Sequence, residues 1–331
     1  MKLSGASILV TGGTGSFGRA FVGRLLESAD PRRVAVFSRD EWKQNEMAKA
    51  FPDKRLRFFL GDVRDKDRLL RAFDGVDIVV HAAALKQIPA CEYNPFEAVK
   101  TNILGAQNIV EAAIDRGVPR VVALSTDKAA NPVNLYGATK LCAEKIFVNG
   151  NAYVGTHPTR FACVRYGNVV GSRGSVIPLF LEQKKKGLLT ITDSRMTRFW
   201  ISLKESVDLV LFALERMQGG EIFIPKIPSM KVADLAAALA PGCPLKEIGI
   251  RPGEKLHEVL LSEEDSRDGW DLGPHYMFRS GAATLPEWNP PASPRLPVGF
   301  RYASDTNTRW LGIEDLRRLV PRVELEGAEA P

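Results

Sequence analysis

A short apolar run near the start of the chain, residues 7–10, leads straight into Thr11-Gly-Gly-Thr-Gly-Ser-Phe-Gly18 and then into an amphipathic stretch over residues 16–27. No other feature restricts the fold as strongly. Glycines at 12, 15 and 18 turn a strand abruptly into a helix: Gly12 permits the tight turn, Gly15 leaves backbone open to a close-lying group, and Gly18 lets helix and strand pack closely. The helix start then offers unpaired N–H groups and the positive end of its dipole, a setting for phosphate. A glycine string alone is a weak signal. Set after a strand and before a helix, it makes Gly12, Thr14, Gly15, Ser16, Phe17 and Gly18 the expected seat of a dinucleotide pyrophosphate.

The same alternation continues. Apolar runs at 33–37, 56–60, 77–80, 120–125 and 161–165 predict strands, and stretches of helical period lie between them at 41–50, 65–72, 98–116 and 135–148. Continuous rather than alternating apolar runs suit strands buried on both faces, so the chain is expected to be α/β, with a doubly wound parallel sheet covered by helices on each side. After about residue 170 the rhythm loosens, with helices expected at 177–186, 203–217 and 232–239 between Pro- and Gly-rich turns. The expected organisation is a nucleotide-binding domain over 1–170, a smaller α/β substrate lobe over 171–280 interleaved with it, and an extension over 281–331. Residues 281–301 read as a loop, and 324–331 as a frayed polar end.

Composition excludes several classes. The net charge of +6 comes from Lys and Arg mixed with Asp and Glu along the chain, without a basic face or a nucleic-acid-binding module. Four cysteines without CxxC spacing suit buried thiols in a reducing compartment, and four histidines form no metal-ligand pattern. The N-terminus runs into its first strand with no room for a signal peptide, and no apolar stretch approaches membrane-spanning length. A cytoplasmic protein without metal, membrane or nucleic-acid partner is expected.

The end of the second strand selects the dinucleotide. An NAD enzyme usually places an acidic residue there, whereas this chain reads Phe37-Ser-Arg-Asp-Glu-Trp-Lys43. Ser38, Arg39 and Lys43 suit a ribose 2′-phosphate, so NADP is favoured. Asp62 and Val63, after the third strand, are expected beside the adenine, and the small residue Ala82 after the fourth lets backbone lie against the cofactor. Strand five ends in Leu124-Ser-Thr-Asp-Lys128, and Tyr136-Gly-Ala-Thr-Lys140 follows on a predicted helix. Residues four apart share a helix face, so Lys140 is expected near the Tyr136 phenol, lowering its pKa and readying it to accept a proton as a hydroxyl carbon loses hydride.

These residues resemble the extended short-chain dehydrogenase/reductase superfamily over residues 5–280, with its Rossmann sheet. The resemblance is closer to the inverting UDP-N-acetylglucosamine 4,6-dehydratases of pseudaminic acid, flagellin and capsule glycosylation. It is carried by the stretch from Ser125 to Lys140, by Ser38-Arg-Asp-Glu41, Ala83-Ala-Leu-Lys86, Arg165-Tyr-Gly-Asn-Val-Val-Gly-Ser-Arg-Gly-Ser175, Met196-Thr-Arg-Phe-Trp200 and Arg251-Pro-Gly-Glu-Lys255. Retaining relatives carry Asp-Glu after the Thr; here the pair is Asp127-Lys128, which favours inversion at C5.

The resemblance implies a UDP-sugar substrate, a homo-oligomer and a division of labour. Tyr136, helped by Lys140 and Thr126, would take the O4 proton. Lys128 would remove the C5 proton if burial and neighbouring cations keep it partly neutral, and Asp127 would help expel the C6 hydroxyl. Asn168, Val169, Arg173, Ser175 and Pro178 would line the substrate side, Arg198, Arg251 and Glu254 would hold the nucleotide, and Lys86 and Thr101 would border the sugar. Two other readings stay open: an NADP-dependent nucleotide-sugar 4-epimerase, which needs no Asp-Lys pair, and a non-catalytic NADP-binding regulator.

Overall fold

The computed structural model describes residues 3–171, 176–279 and 288–328, with side chains as far as residue 320. Its first half follows the expected alternation: β1 (Ser7–Thr11), α1 (Ser16–Ser28), β2 (Arg33–Ser38), α2 (Glu41–Ala50), β3 (Leu56–Leu60), α3 (Lys66–Ala72), β4 (Ile78–His81), α4 (Ile88–Tyr93), α5 (Pro95–Val99), a π-helical turn (Lys100–Leu104), α6 (Gly105–Asp115), β5 (Arg120–Thr126), a 3-10 turn (Asp127–Ala129), α7 (Leu135–Gly150) and β6 (Arg160–Tyr166). The second half adds β7 (Asn168–Val169), α8 (Val176–Lys185), β8 (Leu189–Ile191), β9 (Thr197–Ile201), α9 (Leu203–Arg216), β10 (Glu221–Pro225), β11 (Ser229–Lys231), α10 (Val232–Leu239), β12 (Leu245–Glu247), β13 (Val259–Leu261), α11 (Glu263–Ser266), β14 (Gly269–Asp271), β15 (His275–Arg279), β16 (Tyr302–Ala303) and α12 (Ile313–Ala328).

Local chemistry sets many of the helix starts. Asp40 caps α2 by accepting from Lys43 N at 3.0 Å, Asp65 caps α3 from Arg68 N at 2.9 Å, and Ser202 with Glu205 forms a reciprocal capping box on α9. The first turn of α1 differs: Gly15 caps it without a side-chain bond, and no acidic residue lies there, so its N–H groups stay available.

Nine strands form the main sheet in the order β14-β15-β10-β6-β5-β4-β1-β2-β3. From β3 to β10 all neighbours are parallel; β15 and β14 close one edge antiparallel. This is a doubly wound Rossmann sheet. Strand order reverses between β1 and β4, which opens a crevice beyond their carboxyl ends, the usual seat of a ligand in such sheets. A second, smaller core gathers Val170, Ile177, Phe180, Leu189, Trp200, Met230, Leu235 and Leu239 under Leu316 and Val320 of α12.

Two sequence expectations are corrected. The single helix over 98–116 is divided by the π-helical turn, where buried Asn102 clamps Leu85, accepting from its N–H and donating to its carbonyl, both at 2.9 Å. An extra residue in the turn is what lets that amide face inward. The polar end expected to fray from 324 instead continues α12 as far as Ala328. Residues 288–301 carry no helix, as the Pro-rich composition requires.

The crevice is pinned by a buried cross-strand bond between Thr11 Oγ1 and His81 Nδ1 at 2.8 Å. Burial, with Lys140 nearby, pushes the His81 imidazole down from 6.5 to about 3. As pH falls below 6.5 the unfolded chain binds a proton that the folded protein refuses until about 3, so stability is lost through that window. The expected loss is on the order of 4–5 kcal/mol over the whole window. A His81→Gln variant should therefore show a shallower fall in urea-unfolding free energy between those pH values.

Candidate active site

At the carboxyl ends of β1, β2, β4 and β5 the structure holds a cleft of about 630 Å³. One end is built for a phosphate. Gly12 has φ +64, and a Cβ there would lie 2.8 Å from Ala83 N, so only glycine lets the turn pass this close to the end of β4. Gly18 packs so tightly on Gly13 that a Cβ would meet its Cα at 2.4 Å. Gly12, Thr14, Gly15, Ser16, Phe17 and Gly18 all line the cleft beside the uncapped start of α1. This glycine turn and free helix end fit a dinucleotide pyrophosphate.

The same wall continues through Ser38, Arg39, Lys43, Asp62, Val63 and Ala82. Arg39 lies 3.5 Å from Asp62, which also accepts from Arg64, and Lys43 lies 2.6 Å from Asp40. The buried Ser38 hydroxyl accepts from Gln44 Nε2 at 3.0 Å. Burial works to raise the Asp62 carboxyl, but the bonds from Arg64 and the Arg39 charge leave it below its usual value.

The other end of the cleft carries Lys86, Thr101, Thr126, Lys128, Tyr136, Lys140, Asn168 and Val169. Thr101 sits in the π-helical turn with its hydroxyl buried and without a hydrogen-bond partner among the described residues. Thr126 Oγ1 donates to Asp127 Oδ1 at 3.0 Å, and Lys128 Nζ donates to Asp127 Oδ1 at 3.0 Å and to Asn168 Oδ1 at 3.1 Å. Asp127 is fully buried and its second oxygen has no partner among the described residues. This turn and α7 are in close register, because a Cβ on Gly137 would lie 2.2 Å from the Lys128 carbonyl oxygen.

The electrostatics amend two expectations. Lys140 Nζ is bound by the Leu124 carbonyl at 2.7 Å, and the cation acting on Tyr136 is Lys128. Burial pushes the Tyr136 phenol up to about 12 despite Lys128 and a bond with Thr126. Nor is Lys128 made partly neutral by neighbouring cations. Burial favours loss of its proton and Arg198 assists, but Asp127 and Glu258 outweigh both, holding it above the usual lysine value. Burial, with Glu258 nearby, raises the Asp127 carboxyl against the pull of Lys128.

A family model described as polysaccharide biosynthesis protein matches residues 8–280. The chain belongs to this family. A relative named UDP-N-acetylglucosamine 4,6-dehydratase (inverting), from Campylobacter jejuni subsp. jejuni serotype O:2, is 50% identical over 327 residues, covering 96% of this chain and 98% of that protein. A UDP-glucose 4-epimerase of Rickettsia canadensis is 43% identical, over 95% of each chain. The X-ray structure of Pen from Bacillus thuringiensis matches with a TM-score of 0.90 at 37% identity, covering 98% of this chain and 99% of that one.

Not every residue expected at the site of this polysaccharide biosynthesis family member reaches the cleft. Arg198 turns inward, donating to the carbonyls of Thr197, Leu256 and Lys255, with Nε 3.7 Å from Glu258. Arg251 is exposed, 3.9 Å from Glu254, and Pro178 is exposed on α8, where Val176 and Ile177 line the cleft instead. Arg173 and Ser175 lie outside the described residues. Sequence reading missed Asn102, Tyr166, Trp200, Met230 and the buried Glu258; the polar Asn102 on an otherwise buried helix face was the one legible hint. Among the described residues, no group of three or more His, Cys, Asp or Glu is placed to hold a metal ion, and no helix is long and apolar enough to cross a membrane.

Proposed function

We propose that this chain is an inverting UDP-N-acetylglucosamine 4,6-dehydratase that uses NADP: C4 oxidation, loss of water across C5 and C6, hydride return to C6 and inversion at C5 give a UDP-4-keto-6-deoxy-L-arabino-HexNAc. The observation that carries this reading is the Asp127–Lys128 pair, joined at 3.0 Å on the same short turn that Thr126 caps, with Lys128 on the cleft wall and Asp127 buried behind it. The 50% identity to a full-length relative of that name supports it. A dinucleotide on the glycine turn would supply the place where hydride is set down and taken up again.

The residues divide the remaining work. Tyr136, bonded to Thr126, accepts the O4 proton once its own phenolic proton has left to solvent through the cleft, a loss that burial opposes and the Lys128 charge beside it favours. Oxidation at C4 acidifies the C5 hydrogen. Lys128 becomes a base by passing a proton to Asp127, a transfer that burial of the Asp127 carboxyl assists and that the carboxylates around Lys128 oppose. One transfer inside the pair thus makes both catalysts: an amine for the C5 hydrogen and an acid for the departing C6 hydroxyl. Thr101, Lys86 and Asn168 border the sugar.

NADP is assigned because Ser38 ends β2 with Arg39 directly after it, and the half-exposed Arg39–Asp62 contact can open to a 2′-phosphate. Dinucleotide released on denaturing the purified protein should be NADP; NAD would reverse that assignment. A UDP-sugar as substrate, a cytoplasmic setting and a homo-oligomer complete the proposal, the last supported by exposed Tyr93, Phe96 and Leu104 around α4, α5 and the π-helical turn.

Incubation with UDP-N-acetylglucosamine in deuterated water should give a product lighter by one water and labelled at C5. A C4 epimer of unchanged composition would establish the epimerase instead, and no turnover by protein that keeps its dinucleotide would establish a regulator. Gly137→Ala must push α7 away from the Lys128 carbonyl. Steady-state kinetics should show kcat lower by about 100-fold with little change in KM, the signature of misplaced reacting groups.

A further inference from the structure

Glu258 stands just before β13, where its backbone N–H donates to Ser304 Oγ at 2.9 Å and its carbonyl accepts from Ser304 N at 2.8 Å, so the main chain is held on both sides. Its side chain is buried, with 2% exposure, yet it does not line the cleft. Three cations surround the carboxylate: Lys128 Nζ and Arg198 Nε each at 3.7 Å from Oε1, and Lys255 Nζ at 3.8 Å from Oε2. None is within hydrogen-bond distance, and Oε2 has no hydrogen-bond partner among the described residues. Burying a charge this deeply without direct bonds is costly, and the three cations are what offset it.

Each cation has other holders. Arg198 is bound by three backbone carbonyls, and Lys255 donates to the Ala130 carbonyl at 2.6 Å. Lys128 alone among them lines the cleft, with its ammonium ringed by Asp127, Asn168 and Glu258. We propose that Glu258 is a positioning residue for the reaction: from behind the cleft wall its fixed negative charge holds the Lys128 ammonium in place and keeps the shared proton on the Asp127–Lys128 pair. The inference rests on the assignment of that pair to proton transfer.

The charged and titratable groups facing the pair are Glu258 itself, Arg198 from β9, Lys255 from the loop before β13 and Tyr136 from α7, with Arg165 of β6 acting on Lys255. Burial tends to raise the Glu258 carboxyl, but Lys128, Arg198 and Lys255 keep it below its ordinary value, and so charged. Removing that charge disfavours every proton nearby. Both flanks of the pH profile should therefore move to lower pH, whichever member of the pair acts as acid.

Two measurements on the full-length, dinucleotide-bound enzyme test this. Trace acetylation of Lys128 by acetic anhydride, read by mass spectrometry, follows the fraction of neutral amine and needs no turnover. Glu258→Gln should speed it roughly tenfold, the equivalent of about one pH unit, Glu258→Asp should change it less, and Lys255→Met, which removes a cation, should slow it. In kinetics, E258Q should shift both flanks of the kcat profile down by about one pH unit with KM nearly unchanged. Unchanged acetylation in folded E258Q, or equal effects in E258Q and E258D, overturns the proposal. If the wild-type protein eliminates no water while the labelling rates still change as stated, the fault lies with the dehydratase reading and not with Glu258.

Discussion

Lys128→Ala should abolish loss of water from UDP-N-acetylglucosamine, with turnover lower by about a thousandfold or more, the upper range for removing a positioned proton-transfer group. The expected effect is large because the ammonium serves three partners at once, contacting Asp127, Asn168 and Glu258. Without it, Asp127 loses its partner for proton transfer and no amine remains to take the C5 hydrogen. The variant should stay folded, since Thr126 still donates to Asp127 and Arg198 and Lys255 still face Glu258. Mass spectrometry of the reaction checks it, and turnover near that of the wild type removes Lys128 from the mechanism.

The second large effect concerns stability. Arg165 is 2% exposed, and its guanidinium is gripped by Glu144 through Nε at 2.9 Å and Nη2 at 2.6 Å, by Asp265 at 2.8 Å, and by the Leu260 carbonyl at 3.0 Å, over the Phe278 ring. This one side chain of β6 ties α7, which carries Tyr136 and Lys140, to α11 and the middle of β13. Arg165→Met fills the volume but leaves two carboxylates without their cation. Breaking a buried pair in this way costs about 3–5 kcal/mol. Urea unfolding should show the loss as a lower midpoint with an unchanged slope; a change under about 1 kcal/mol would mean that solvent or another cation already serves Glu144.

Local patterns made the nucleotide-binding half legible. The strand–glycine–helix opening, the buried parallel runs and the Thr126–Lys140 stretch each write their structure into adjacent residues, and β3, α2 and α10 begin and end where periodicity puts them. What stayed hidden depends on distant partners. The π-helical turn exists to aim Asn102 at Leu85, and a periodicity count sees only a continuous helix there. Strands of two or three residues, such as β7, β11 and β16, are too short to show alternation and are held by their neighbours. Arg198 reads like a phosphate ligand from its surroundings in sequence, but three carbonyls and Glu258 claim it. Glu258 looks like an ordinary surface acid before an apolar run, and only the fold buries it.

The central sheet also constrains how the protein can be cut or opened. Strands β10, β15 and β14 come from far along the chain yet extend the sheet beyond β6, with Ile222 and Phe223 paired to Cys163 and Val164. A fragment ending near residue 170 would leave β6 as a bare edge, its row of amides and carbonyls open to any other strand. The two halves share hydrogen bonds through one continuous ladder, so the nucleotide-binding half has no clean seam at which it can be separated and expressed alone.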